Sequence, residues 1–217
     1  MSALKNILPV TLCVFCSTLS AQTQNEEPSE WHFNLGGGAM ATSQTWKGTD
    51  TEDTLIPFFE ASFGNWSFGI ENLVAYKADV NTWASFYVGV GGRSDGYDSS
   101  DFTHINASES IIFKGYNEPD SETVINFGAS FGSFVIDAST DISNNSESNT
   151  LSLTAEHPVY EGSTGFSISV SASAHWVDAN YVNYHYGISS SQVDNSVGRS
   201  LYQTESAINY GVSINAM

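Results

Sequence analysis

The stretch Phe166-Ser167-Ile168-Ser169-Val170-Ser171-Ala172-Ser173-Ala174-His175-Trp176 decides the fold. Its even positions are apolar and its odd positions are serine or histidine. A helix of 3.6 residues per turn cannot generate that order, whereas a strand with one apolar and one small-polar face does. The same alternation runs through Thr150 to His157, where Leu151, Leu153 and Ala155 oppose Ser152, Thr154 and Glu156, and through Trp66 to Tyr76. Further strands are predicted near Trp31 to Thr42, Leu55 to Phe63, Trp83 to Arg93, Thr123 to Phe131, Ser133 to Asp141, Tyr181 to Ile188 and Tyr202 to Ile214. A weaker one is predicted from Thr103 to Lys114.

Two architectures accept such strands, a soluble sandwich with an apolar core and a membrane barrel with its apolar face turned to lipid. The polar face decides between them. A solvated sheet carries Lys, Arg and Glu, but here that face is Ser, Gly, Asn and Thr, and the whole chain has 6 basic residues. Small polar residues suit a barrel interior, and Trp31, Trp66, Trp83, Trp176 and Tyr202 stand at strand ends, where membrane barrels collect aromatics. Gly64-Asn65 and Gly132-Ser133 are tight links, while Ser43 to Thr54, Arg93 to Phe102 and Ile142 to Thr150 are long and acidic. The fold class is therefore all-β, an antiparallel transmembrane β-barrel.

At the N-terminus, Lys5 precedes an apolar run from Ile7 to Leu19 that ends in Ser20-Ala21-Gln22, the pattern of a secretory signal peptide. The run is shorter than the roughly 20 residues of a membrane-spanning helix. Both cysteines, Cys13 and Cys16, lie inside it, so the exported chain lacks cysteine, as suits the bacterial envelope. The expected organisation is a signal peptide over residues 1–21, a short tail over 22–30 and a barrel over 31–217. The net charge of −18 excludes nucleic acid as a partner.

Three stretches resemble the MipA/OmpV family, also called MltA-interacting proteins. The first is Gly36-Gly37-Gly38-Ala39, then Trp46-Lys47-Gly48-Thr49-Asp50 and Ile56-Pro57. The second is Arg93-Ser94-Asp95-Gly96-Tyr97-Asp98, then Phe113-Lys114-Gly115-Tyr116. The third is Trp176-Val177-Asp178-Ala179-Asn180-Tyr181, then Tyr184-His185-Tyr186-Gly187-Ile188-Ser189, ending near Tyr202. The resemblance implies a twelve-strand outer-membrane protein in contact with lipid. Its implied role is a scaffold for peptidoglycan-remodelling enzymes, with a lytic transglycosylase and a penicillin-binding protein as partners, or else a porin-like channel or surface adhesin. It implies no catalytic residues. His185 stands where the family usually has another aromatic, and Asn215-Ala216-Met217 comes before the family's last strands. Eleven strands of an expected twelve are counted, and because single-chain bacterial barrels have even numbers, either a C-terminally truncated chain or an imperfect closure of strand one against strand eleven is expected.

Candidate chemistry is sparse. Glu60, Glu71, Glu156 and Glu205 alternate onto the polar face and would make a lumen cation-favouring. Asp95, Asp98 and Asp101 could offer oxygens to calcium, though without EF-hand spacing, so a solvated acidic turn competes with that reading. His32, His104, His157, His175 and His185 show no zinc spacing, and His175 and His185 are expected on the polar faces of neighbouring strands. Gly36-Gly37-Gly38 has no Lys-Ser/Thr pair after it and is read as a bend in the first strand rather than a phosphate loop. No G-x-S-x-G context occurs, so no enzyme activity, cofactor or resident metal is expected.

Overall fold

The computed structural model describes residues 12–15, 30–43, 51–70, 72–96, 115–162 and 166–216. They form one antiparallel sheet of eleven strands in which every strand pairs with its neighbours in sequence. The strands are β1 (Leu12–Phe15), β2 (Trp31–Ser43), β3 (Thr51–Phe63), β4 (Trp66–Gly69), β5 (Val74–Asn81), β6 (Ala84–Arg93), β7 (Glu122–Phe131), β8 (Phe134–Asp141), β9 (Asn149–Glu161), β10 (Ser167–Val177) and β11 (Ala207–Ala216). One helix, α1 (Ala179–Tyr186), lies between β10 and β11. The sheet curls until β11 lies beside β1, and among the described residues no hydrogen-bonded ladder joins them. No described helix is long and apolar enough to cross a membrane.

Strand pairing explains the two faces. On β10 the register sets Ser171 against Glu156 and Ser213, and Ala172 against Ala155 and Val212. Each parity therefore continues around the wall. The apolar parity is the exposed one: Leu151, Leu153, Phe127, Phe134, Val170, Tyr210 and Val212 all face out, Val212 at 84% exposure. The opposite parity gathers serines and glycines against each other, as in Ser85 with Ser130 at 2.6 Å and Ser171 with Ser213 at 2.5 Å. A sheet that exposes its large apolar side chains and pairs its hydroxyls inward is inside-out for water and right for lipid.

The links sort by length onto two rims. Tight connections at Gly64-Asn65, Thr82-Trp83 and Gly132-Ser133 share one rim with the β9–β10 turn, and the long connections share the other. An aromatic girdle follows the tight-turn rim. Trp31 lies 5.2 Å from Phe63 and 5.9 Å from Phe68, Trp66 lies 5.1 Å from Tyr76, and Phe131 lies 5.6 Å from Phe86 and 6.3 Å from Trp83. Amphipathic rings at this level belong where a wall meets lipid headgroups.

The strand total equals the expected eleven, but its composition differs. Trp66 to Tyr76, predicted as one strand, is a hairpin: β4 and β5 fold back so that Trp66 faces Tyr76 across the pair. The turn between them starts at Ile70, and Gly69 N donates to Asn72 O at 2.9 Å. Tyr181 to Ile188, predicted as a strand, is mostly helix, because Asp178 caps α1 by accepting from Tyr181 N at 2.8 Å. The strand predicted from Tyr202 begins at Ala207; Tyr202 instead bridges Ile188. Thr103 to Lys114 lies outside the described residues. The stretch read as an export leader contains β1, which pairs with β2. The ten strands after it run from Trp31 to Ala216, and both of those ends fall on the tight-turn rim, opposite Phe63 and Ile168 respectively.

Candidate functional site

The long-loop rim carries α1 and, beside it, a buried ionic cluster. Arg93 ends β6 and Glu122 begins β7, and the ladder places them directly opposite each other. Arg93 Nε donates to Glu122 Oε2 at 2.7 Å, Nη1 to Ser139 Oγ at 3.3 Å and Nη2 to Ser148 Oγ at 2.5 Å. Ser146 Oγ reaches the other Glu122 oxygen. Glu122 also meets Nε2 of His185 at 3.0 Å, and both of those side chains are fully buried. A charge removed from water to this degree persists only when paired and hydrogen-bonded, and here every partner is supplied.

His185 is the pin that joins helix to wall. Its Nδ1 lies 2.9 Å from Asp95 O, so both ring nitrogens face acceptors from separate segments. Gly96 makes this approach possible, with φ of +92° and a backbone so close to His185 that a Cβ would stand 2.5 Å from its carbonyl oxygen. Tyr181, one turn earlier, donates from its hydroxyl to Asp95 Oδ2 at 2.8 Å, while the Arg93 guanidinium lies 5.1 Å from its ring centre. Burial, and then the neighbouring Asp95 carboxylate, push the Tyr181 phenol upward from its ordinary value, so it stays a donor. Asp178 accepts from Asn149 N at 2.8 Å, Asn183 exchanges hydrogen bonds with the Thr204 backbone, and Tyr116 OH donates to Gly187 O at 2.7 Å.

Beneath this roof lies a cavity of about 490 Å³. One belt of lumen residues crosses its floor through successive ladders: Tyr87 opposes Gly128, Gly128 opposes Asp137, Asp137 opposes Ser152, and Ser152 opposes His175. The missing side chain at Gly128 lets the Tyr87 ring lie across it, since a Cβ there would overlap the ring. Tyr87 OH thereby reaches Asp137 Oδ1 at 2.7 Å. Ser152 Oγ and His175 Nδ1 are 2.6 Å apart.

Of the acidic candidates, Glu60 and Glu156 lie on the lumen parity, Glu60 accepting from Asn34 Nδ2 at 3.3 Å and Glu156 from Ser169. They stand on the non-adjacent strands β3 and β9. Glu205 is exposed in the segment before β11, and Glu71 lies outside the described residues. His175 and His185 are not on neighbouring strands, since His185 belongs to α1; they occupy the floor and the roof of the rim assembly. His32 is on β2, His157 is on the exposed face of β9, and His104 lies outside the described residues.

Among the motif residues, Arg93, Gly96, Asp178, Tyr181 and Gly187 build the rim. Tyr184 OH receives the Asp120 amide, Tyr186 closes α1, Gly115 sits in a turn, and Trp176 is the penultimate residue of β10, on the outer parity. Ser189 caps a turn through Gln192, and Pro57 lies in β3. Trp46, Gly48, Asp50, Tyr97, Asp98 and Asp101 lie outside the described residues. Among the described residues no group of three metal-ligating side chains is close enough to hold an ion. Sequence reasoning missed Glu122, Asp137 and Ser148; only the lumen parity of Glu122 and Asp137 hinted at them.

An outward apolar wall, an aromatic girdle and a hydroxyl-lined interior with a short helix pinned at one rim define a β-barrel protein of the lipid-facing kind. The family described as MltA-interacting protein MipA matches residues 35–217, and the chain belongs to that family. No curated protein and no solved structure matches it.

Proposed function

We propose that this protein is an outer-membrane barrel that serves as a structural scaffold for peptidoglycan-remodelling enzymes, holding a lytic transglycosylase and, with it, a penicillin-binding protein. The observation that carries the reading is the family match over residues 35–217, to a family named for interaction with MltA. The long-loop rim supports it, because the Arg93–Glu122–His185 cluster ties α1 to β6 and β7 and makes that rim a braced platform. The tight-turn rim, with Gly64-Asn65, Thr82-Trp83 and Gly132-Ser133, is the face offered to periplasmic partners. The test is mild crosslinking of tagged protein in its native envelope, followed by detergent extraction and mass spectrometry. Recovery of a transglycosylase is expected, and recovery should fall when the tight turns are replaced. If none is recovered from protein whose heat-modifiable migration shows a folded barrel, the scaffold reading fails.

A cation-favouring channel is the second reading, favoured by Asp95 and Asp137 facing the interior cavity. Planar-bilayer recordings without conductance, or with anion selectivity, would remove it.

A further inference from the structure

We propose that the cavity under α1 is a binding site for a small organic ammonium ion. The inference does not rest on the scaffold reading. Its volume, about 490 Å³, is within the range of small-molecule pockets. The charges at its wall do not balance. Arg93 is engaged by Glu122, Ser139 and Ser148, and among the described residues neither Asp95 nor Asp137 forms a salt bridge with a lysine or arginine. Tyr181 and Tyr87 each occupy one oxygen of those carboxylates, orienting them and leaving Asp95 Oδ1 and Asp137 Oδ2 without a hydrogen bond among the described residues. A separate observation points the same way. Thr150 lines the cavity at 8% exposure, and its hydroxyl has no hydrogen-bond partner among the described residues. A buried hydroxyl of that kind is normally satisfied by a protein group, an ordered water or a ligand.

The chemistry of the vacant groups selects the ligand. Two carboxylate oxygens and a hydroxyl offer acceptors to a compact, donor-rich cation, and the faces of Tyr87 and Tyr181 border the same space. An anion would meet both carboxylates with no uncommitted guanidinium to receive it. A bare metal ion would find no set of three ligating side chains among the described residues.

Calorimetric titration of the detergent-folded full chain with putrescine, and separately with acetate, tests the assignment. Saturable putrescine binding without acetate binding is expected. Asp137→Asn and Asp95→Asn should each weaken it about tenfold or more, the loss of one charge-assisted contact. Thr150→Val, which removes only the unpartnered hydroxyl, should weaken it several-fold, and Glu161→Gln, on the opposite rim, should leave it unchanged. No saturable binding by the wild-type protein overturns the proposal. So does binding that Thr150→Val and either folded aspartate variant leave intact, which would mark attraction to the acidic surface alone.

Discussion

Glu122 Oε2 lies 3.0 Å from His185 Nε2, tying the first residue of β7 to a helix 63 positions further along the chain. The same oxygen accepts from Arg93 at 2.7 Å, so one carboxylate joins two strands and α1. Glu122→Ala leaves a buried guanidinium without its counter-charge and is expected to cost about 3–5 kcal/mol. Urea unfolding in detergent should show that loss. The Arg93→Met/Glu122→Leu double variant should recover much of it, because it removes both charges together. A double variant no more stable than Glu122→Ala would count against the cluster as the anchor.

Gly96→Ala should loosen the roof without touching the wall. The residue would sit at a φ of +92° with its Cβ 2.5 Å from a backbone oxygen, and strain of this type costs about 1–3 kcal/mol. Limited proteolysis is the suitable readout. Cleavage within residues 178–206 should accelerate while the boiled-versus-unboiled mobility shift persists.

Asp178 has two duties, capping α1 and holding the β9 entry through Asn149. Asp178→Ala is expected to destabilise the rim by about 1–2 kcal/mol, whereas Asp178→Asn, still an acceptor, should lose less. Hydrogen exchange at Tyr181 and Val182 would report it. Exchange in Asp178→Ala no faster than in the unsubstituted protein would mean the cap contributes nothing.

The two parities predict opposite responses to charge. Leu153 is outward and exposed, and Leu153→Arg should impair insertion into lipid vesicles by about 2–4 kcal/mol if the site lies near the bilayer midplane. Thr154→Arg, one residue on and facing the lumen, should insert with much smaller loss. Equal penalties would contradict the facing described above.

Periodicity reveals face but not register, which explains what was legible in the sequence. β10 was readable because every even position from Phe166 to Trp176 is apolar. The β4–β5 turn was hidden by parity: four residues separate Gly69 from Val74, so Trp66, Phe68, Val74 and Tyr76 remain in phase through a reversal of direction. α1 was hidden by composition, since Tyr and Val favour strands and its first turn has no acidic residue. The signals that could have found it are Asp178 placed three residues before Tyr181 and Gly187 just past its end. The Arg93–Glu122–His185 cluster could not be read at all, because pairing across the 94–121 connection creates it. Asp137 and His175 were readable as lumen residues, but their meeting over Ser152 depends on ladders that alternation does not specify.

The roof assembled around His185 draws side chains and backbone from Asp95, Tyr116, Glu122, Ser146, Asp178 and Thr204. An antibody raised against this face of the folded protein will therefore read a conformational epitope spread across four stretches of chain. It should bind intact cells bearing the barrel, lose recognition on boiled immunoblots, and ignore any single synthetic peptide from the sequence.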